Sequence, residues 1–263
     1  MRIGNTNNSI VYNRSQQMRN KPEYGKTASG KRINSAKDDA AGLAIAQKLL
    51  KQVNGYDMGA MNIRDGIGVA NIADGAMGTM ADSLQRIREL SVKASNSAVY
   101  GQSERSMMQD EVNQLLNDIE QTATGTEFNT MKILDGSMDK MDIASNPDGS
   151  GTSIPMQNAT LQGLGIDGYD LTGDFDISRI DSAIEKLSSA RSKVGATTNG
   201  MEYAYNYNTN ASLQLTGAQS RIEDLDMPKA ISELRKRELL NTYQTMMMRN
   251  GMETNRRMTS GLF

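Results

Sequence analysis

The sequence contains no cysteine and no histidine. Disulfides, thiolate nucleophiles, imidazole bases and nearly all zinc sites are therefore excluded. Tryptophan is also absent, phenylalanine occurs 3 times and aromatics make up only 5% of the chain. A thick aromatic core is not available. No apolar run approaches the roughly 20 residues that a membrane-spanning helix needs. The first twenty residues hold no continuous apolar core, so no secretory signal peptide is expected. What the chain has instead is methionine, 19 residues of it, with frequent Ala, Ser, Asn and Gly. Small side chains in that proportion suit slender helices in close contact.

The 263 residues carry a net charge of −2, unevenly spread. From Arg2 to Lys37 the only acid is Glu23, and the tail is again basic through Arg235, Lys236, Arg237, Arg249, Arg256 and Arg257. Basic ends raise the question of nucleic acid. They lack aromatic interleaving and any recognised module, so neither nucleic acid nor membrane is an expected partner. No cofactor and no metal motif is visible. Asp167, Asp170, Asp174 and Asp176 do not have the spacing of an EF-hand loop and read as solvated turn acids.

Periodicity supplies the architecture. Tyr56, Gly59, Ile63, Gly66, Ala70, Ala73, Met77, Met80, Leu84, Ile87, Ser91, Ala94 and Ala98 alternate by steps of three and four, the mark of one buried helical seam. Asn34 or Ser35 can cap this helix, with Asp38 or Asp39 supporting its first turn. Gly59 and Gly66 each cost about 1 kcal/mol relative to alanine, so another backbone is expected close against them. A shorter helix, capped by Ser103, carries Met108, Val112, Leu115 and Ile119. A second long seam runs Ile177, Ile180, Ile184, Leu187, Arg191, Val194, Thr198, Met201, Tyr205, Asn208, Ser212, Leu215, Gln219 and Ile222. Its polar members Arg191, Asn208 and Gln219 are expected to fix register.

Between these helices, residues 125–175 are turn-rich with short strands. Pro22 and Gly25 interrupt any helix at the start, and Pro228 marks a joint before a last helix over 229–248. The expectation is a mainly α fold: an elongated antiparallel helical rod or coiled coil of two long helices plus one shorter helix, with a small β-hairpin tip. Helices are placed at about 41–99, 104–122 and 177–224, and the β/loop tip at 125–175. Residues 41–228 form the rod. Residues 1–40 with 229–263 form a terminal helical domain, disordered in the monomer because it buries too little apolar surface alone.

Five segments carry a family resemblance. "SGKRINSAKDDAAGLAIAQKL", "LQRIRELSVKASN", "TEFNTMKILDG", "SAIEKLSSARSKVGA" and "SRIEDLDMPKA" resemble, in order, segments of the bacterial flagellins. The resemblance spans Ser29 to about Arg249, and it points to a minimal form without large outer domains. It implies a structural subunit of the bacterial flagellar filament, not an enzyme, secreted to the extracellular flagellum. The terminal helices would form the inner tube. Implied partners are other copies or other flagellins, the export machinery and its chaperone, and the filament cap and hook-junction proteins. A vertebrate Toll-like receptor is implied as a partner of the free chain. A second reading is a minor or non-polymerising flagellin, acting as a junction element or secreted receptor ligand. The ends motivate it: "NKPEYGK" interrupts a usually unbroken first helix, and "MMMRNGMETNRRMTSGLF" replaces a usually aliphatic end.

The implied subunit and receptor contacts are Arg86, Glu89, Leu90, Lys93, Glu111 and Leu115. Lys93 stands where glutamine is usual and Leu115 where arginine is usual. Leu90 lies off the long seam, beside Arg86 and Lys93, and is expected to point outward as an anchor with a charged rim. The competing expectation is that it packs inside the molecule, on the short helix or a loop.

Overall fold

A computed structural model of the chain describes residues 23–260. Residues 23–29 form α1. There follow α2 (Ala40–Ala94), α3 (Gln102–Gly125), β1 (Glu127–Phe128), β2 (Met131–Lys132), β3 (Lys140–Ala144), β4 (Gly151–Pro155), the single turn α4 (Leu161–Leu164), α5 (Ile177–Glu223) and α6 (Met227–Ser260). The chain groups into two compact units. Among the described residues, one draws on 23–51 and 214–260, the other on 52–213. Their boundaries fall inside α2 and α5, whereas the sequence reading divides the chain at 40 and 229.

In the 52–213 unit, α2 and α5 run antiparallel in one fixed register. Arg88 pairs with Asp181 at 2.5 Å and Asp74 with Arg191 at 2.8 Å. Arg64 meets Tyr205, and the space beside Gly66 is filled by Met201 and Ile143. The expected seam of α2 is the buried one: from Gly59 to Ala94 each member is buried, while Tyr56 is half-buried and Ala98 exposed. The helix stops at Ala94, short of the expected end, and the Ser95 hydroxyl donates back to the Ser91 carbonyl at 2.9 Å. The helix starts by another cap than expected. Asp39 accepts from the Gly42 N–H at 2.8 Å, while Asp38 holds the N–H groups of Asn34 and Ser35. For α3 the N-cap is Gly101, and Ser103 lies inside the helix.

The backbone expected against Gly59 is the β3–β4 connection, whereas Gly66 is met by side chains only. A methyl group on Gly59 would lie 2.3 Å from the Ser145 carbonyl oxygen, and one on Gly55 would lie 2.5 Å from Pro147. The Asn208 amide donates to that same Ser145 oxygen at 2.6 Å, and Asn62 donates to the Ala144 carbonyl at 2.9 Å. The antiparallel β3–β4 hairpin therefore lies across the middle of α2 and α5, not at the rod's tip as the sequence reading places it. The reason is length. The 24 residues of α3 return about 36 Å along α2 at 1.5 Å per residue before the strands begin.

The other unit is tied where residues 30–33 meet the end of α5. The Arg32 N–H donates to the Glu223 carbonyl at 2.7 Å, and the Leu225 N–H to the Gly30 carbonyl at 2.9 Å. Gly30 takes φ +71°, open to glycine at little cost. The buried Glu223 carboxylate accepts from Lys31 at 2.7 Å and Gln219 at 3.0 Å. Lys31 first, then Gln219, holds its pKa below the usual carboxylate value. Contrary to expectation, Gly25 sits within α1; the helix is fastened to α6 through Glu23–Arg237 and Tyr24–Glu238, both at 2.6 Å. Pro22 lies outside the described residues. Pro228 occupies the first turn of α6, where its missing N–H is harmless, and Asp226 caps that turn through the Lys229 N–H at 3.2 Å. The helix then runs unbroken to Ser260, well past the expected end at 248. Beyond 248, Arg249, Asn250, Glu253 and Thr254 are exposed and Thr254 bonds back to Asn250, so the sequence offers no stop strong enough to end it.

Gly59→Ala forces its methyl group into a backbone carbonyl and should lower stability by about 1–3 kcal/mol in urea unfolding. Gly75→Ala, with nothing within 4 Å, should raise it by about 0.5–1 kcal/mol. Equal effects from the two would contradict the packing described. Glu223→Gln should loosen residues 30–33, seen as faster amide exchange at Arg32. The sign with pH follows from the depressed carboxyl: the contribution is present above the ordinary glutamate pKa and fades as pH falls through the folded one. The protection factor of the Arg32 amide, its exchange rate corrected for the intrinsic pH dependence, should therefore fall on acidification in the parent protein and change less in the variant.

Candidate subunit-contact surface

The six positions singled out in the sequence divide into two sets. Arg86, Glu89, Lys93 and Glu111 are exposed on α2 and α3. Arg86 bridges the other two acids, with Nε 2.7 Å from Glu111 and an Nη 3.0 Å from Glu89. Glu111 first, then Glu89, raises the Arg86 pKa and keeps it charged. Exposed pairs of this kind add little stability; what they fix is the position of a cation between two anions. The Lys93 ammonium lies 5.3 Å from the Tyr100 ring centre, where the π face attracts it.

Leu90 and Leu115 belong to the second set. Leu90 is only 4% exposed and joins the core cluster that contains Ile87, Met108, Val112 and Leu116. The outward reading of Leu90 is therefore wrong, and the inward alternative holds. The reading assumed that α2 buries one seam, toward α5 alone. Arg86–Glu111 shows α3 alongside as well, and a second neighbour widens the buried arc. Leu90 sits about 60° from Ile87 at 100° per residue, just inside that widened arc. Leu115 is half-buried against the same cluster. Ser91, a polar member of the seam, is satisfied twice: it donates to the Ile87 carbonyl at 2.7 Å and accepts from the Tyr169 hydroxyl at 2.9 Å.

A larger apolar surface lies on α6. Leu239, Leu240, Tyr243, Met246, Met247 and Met258 are all at least half exposed. At about 100° per residue they fall within one stripe of about 120°. The half-buried residues of the helix, Leu234, Asn241, Thr245, Met248 and Met252, cluster on the opposite side. So α6 has two apolar faces, and one of them points outward. Sequence reasoning placed a last helix over 229–248 without separating its two faces. The separating signal was available as spacing: 239, 243, 246 and 247 share one side, and 234, 241, 245, 248 and 252 the other.

Among the described residues, no three acidic side chains are grouped to hold a metal ion. Asp170 and Asp176 close local turns onto Thr172 and Ser178. No described helix is long and apolar enough to cross a membrane.

Comparison with known proteins gives one consistent family. The description "Bacterial flagellin N-terminal helical region" matches residues 4–139, and "Bacterial flagellin C-terminal helical region" matches 177–251. A flagellin of Halalkalibacterium halodurans is 36% identical over 224 residues, covering 82% of each chain. A flagellin of Bacillus subtilis is 33% identical over 276 residues, covering 90% of each. In fold, the chain is similar to the crystal structure of Bacillus cereus flagellin, with a TM-score of 0.50 and 23% identity over 56% of this chain and 88% of that one.

Leu90→Ala should cost about 2–5 kcal/mol in thermal or urea unfolding, while Glu89→Ala should stay within about 0.5 kcal/mol. A Leu90 variant as stable as the parent would return that side chain to the surface.

Proposed function

Because this chain belongs to the bacterial flagellins and is a structural subunit of the flagellar filament, we propose that the outward stripe of α6 is a surface through which copies join. The family is structural rather than enzymatic, its members self-polymerise, and the filament they form is the extracellular flagellum. The comparisons do not favour the second reading of a minor or non-polymerising form. One observation carries the proposal: Leu239, Leu240, Tyr243, Met246 and Met247 present contiguous apolar side chains to solvent from one helix. A stripe of that kind is unusual on a chain that stays alone. A second copy is the occupant because the family's members polymerise.

The rest of the functional reading follows from the same premise. Residues 1–40 with 229–263 make the inner tube and residues 41–228 the outer part; of the inner-tube segment, 1–22 and 261–263 lie outside the described residues. The exposed Arg86, Glu89, Lys93 and Glu111 form a charged contact for a neighbouring subunit, or for a Toll-like receptor when the chain is free. Leu90 and Leu115 support that contact from beneath. Export machinery, its chaperone, the cap and the hook-junction proteins are further partners of the chain before and during assembly.

Leu239→Asp with Tyr243→Asp places two charges on the outer stripe at exposed positions. Electron microscopy after seeding with filament fragments should show no elongation, while helix content by circular dichroism stays at the parent level. Filaments of parent length from the variant would overturn the proposal.

A further inference from the structure

Sulfur enters this chain only as methionine, and the methionines fall into separate environments. Met77, Met80 and Met201 are at most 1% exposed, sealed in the core of the 52–213 unit. Met246, Met247 and Met258 on the outer stripe of α6 are 59%, 55% and 61% exposed. We propose that these three are an oxidation site that controls self-association: a peroxide converts their thioethers to sulfoxides in the free chain, and the oxidised stripe no longer accepts a second copy. The inference rests on the reading of that stripe as a joining surface.

The chemistry with peroxide is a single oxygen transfer. The thioether sulfur attacks one peroxide oxygen, an S–O bond forms and the O–O bond breaks. Sulfur is oxidised by two electrons; the departing oxygen is reduced and leaves, with a proton, as water. Access to the sulfur sets the rate, because the chain holds no cysteine to react first. The consequence at the stripe is physical. A thioether is soft and adapts to an irregular apolar partner, whereas a sulfoxide is a strong acceptor that must find a donor when buried. Around Met246 and Met247 the stripe offers Leu239, Leu240, the Tyr243 hydroxyl and, one turn on, the Asn250 amide, with the rest carbon. Association would bury the new oxygens against a surface built for carbon. Assembly in turn covers the sulfurs, so the free chain is sensitive and the joined chain is protected. Reduction of the sulfoxide restores the original side chain.

The test uses the full chain treated with hydrogen peroxide, peptide mapping by mass spectrometry, and seeded elongation. In the free chain, Met246, Met247 and Met258 should oxidise at least tenfold faster than Met77, Met80 and Met201. Elongation of the treated parent should fall at least fivefold and return after methionine sulfoxide reductase. Met246→Leu/Met247→Leu/Met258→Leu, a nearly volume-neutral change, should elongate unimpaired after the same treatment even with Met58, Met61, Met107 and Met131 oxidised. Treated parent that elongates normally, or a triple variant impaired as much as the parent, overturns the oxidation control. If the triple variant fails to elongate untreated, a time course on the parent decides: loss of elongation must track sulfoxide at 246 and 247, not at 58 and 61. The two readings separate cleanly. Normal elongation of the Leu239→Asp/Tyr243→Asp protein defeats the joining surface itself. Blocked elongation there, beside normal elongation of oxidised parent, defeats only the oxidation control.

Discussion

The Ser145 carbonyl passes so close to Gly59 that no side chain fits between them, and Asn208 closes on the same oxygen from α5. This contact joins three parts of the chain at one atom. It requires glycine on α2, an amide donor on α5, and a hairpin of the right length to bring the carbonyl there. A shift of α2 by one turn, about 5.4 Å, would set Ile63 against the carbonyl in one direction, and in the other would bring Gly55 to it but Lys51 against Pro147; a shift of α5 would take the buried Asn208 amide from its acceptor. Buried polar groups left unpaired are costly, so one register is selected over its neighbours. Asp74–Arg191 and Arg88–Asp181 agree with that register from two further levels. They are more exposed, and add direction rather than much stability.

A fixed register matters because a filament subunit must present the same surface in every copy. Methionine-rich and alanine-rich seams are adaptable and would tolerate sliding if nothing pinned them. The hairpin across Gly59 pins them. With α2 and α5 locked, α3 has a constant bed, and Arg86, Glu89 and Glu111 hold one arrangement on the outside. In the other unit, Glu223 does a similar service on a smaller scale, holding residues 30–33 to the end of α5.

Most of the secondary structure was legible because it is written in seams. α2, α3 and α5 begin and end within about five residues of where apolar spacing places them, and the cost of Gly59 correctly announced a close backbone. The asparagine on the α5 seam announced a register device. The losses have physical causes as well. Leu90 was misread because spacing along one helix cannot show that a third helix widens the buried arc. The hairpin was set at a tip because strand signals carry no information on how far α3 has already returned. The extension of α6 to Ser260 was missed because polar residues on exposed faces leave no periodic mark. Its outer stripe went unseen: the helix was placed, but one with two apolar faces reads as one broad face until the buried side is known.

The central claim is the α2–α5 register set at Gly59. A chain without native cysteine permits a direct check by engineered pairs. Cysteines at 64 and 205, where Arg64 and Tyr205 meet, should be joined rapidly in the full chain by a short bifunctional thiol cross-linker, because two long side chains meeting at their tips set the backbones beyond the reach of a direct disulfide. Cysteines at 64 and 198, displaced by two helical turns, should not. Comparable cross-linking of both pairs, or preference for the displaced one, would show that the helices slide and that no single register underlies the subunit.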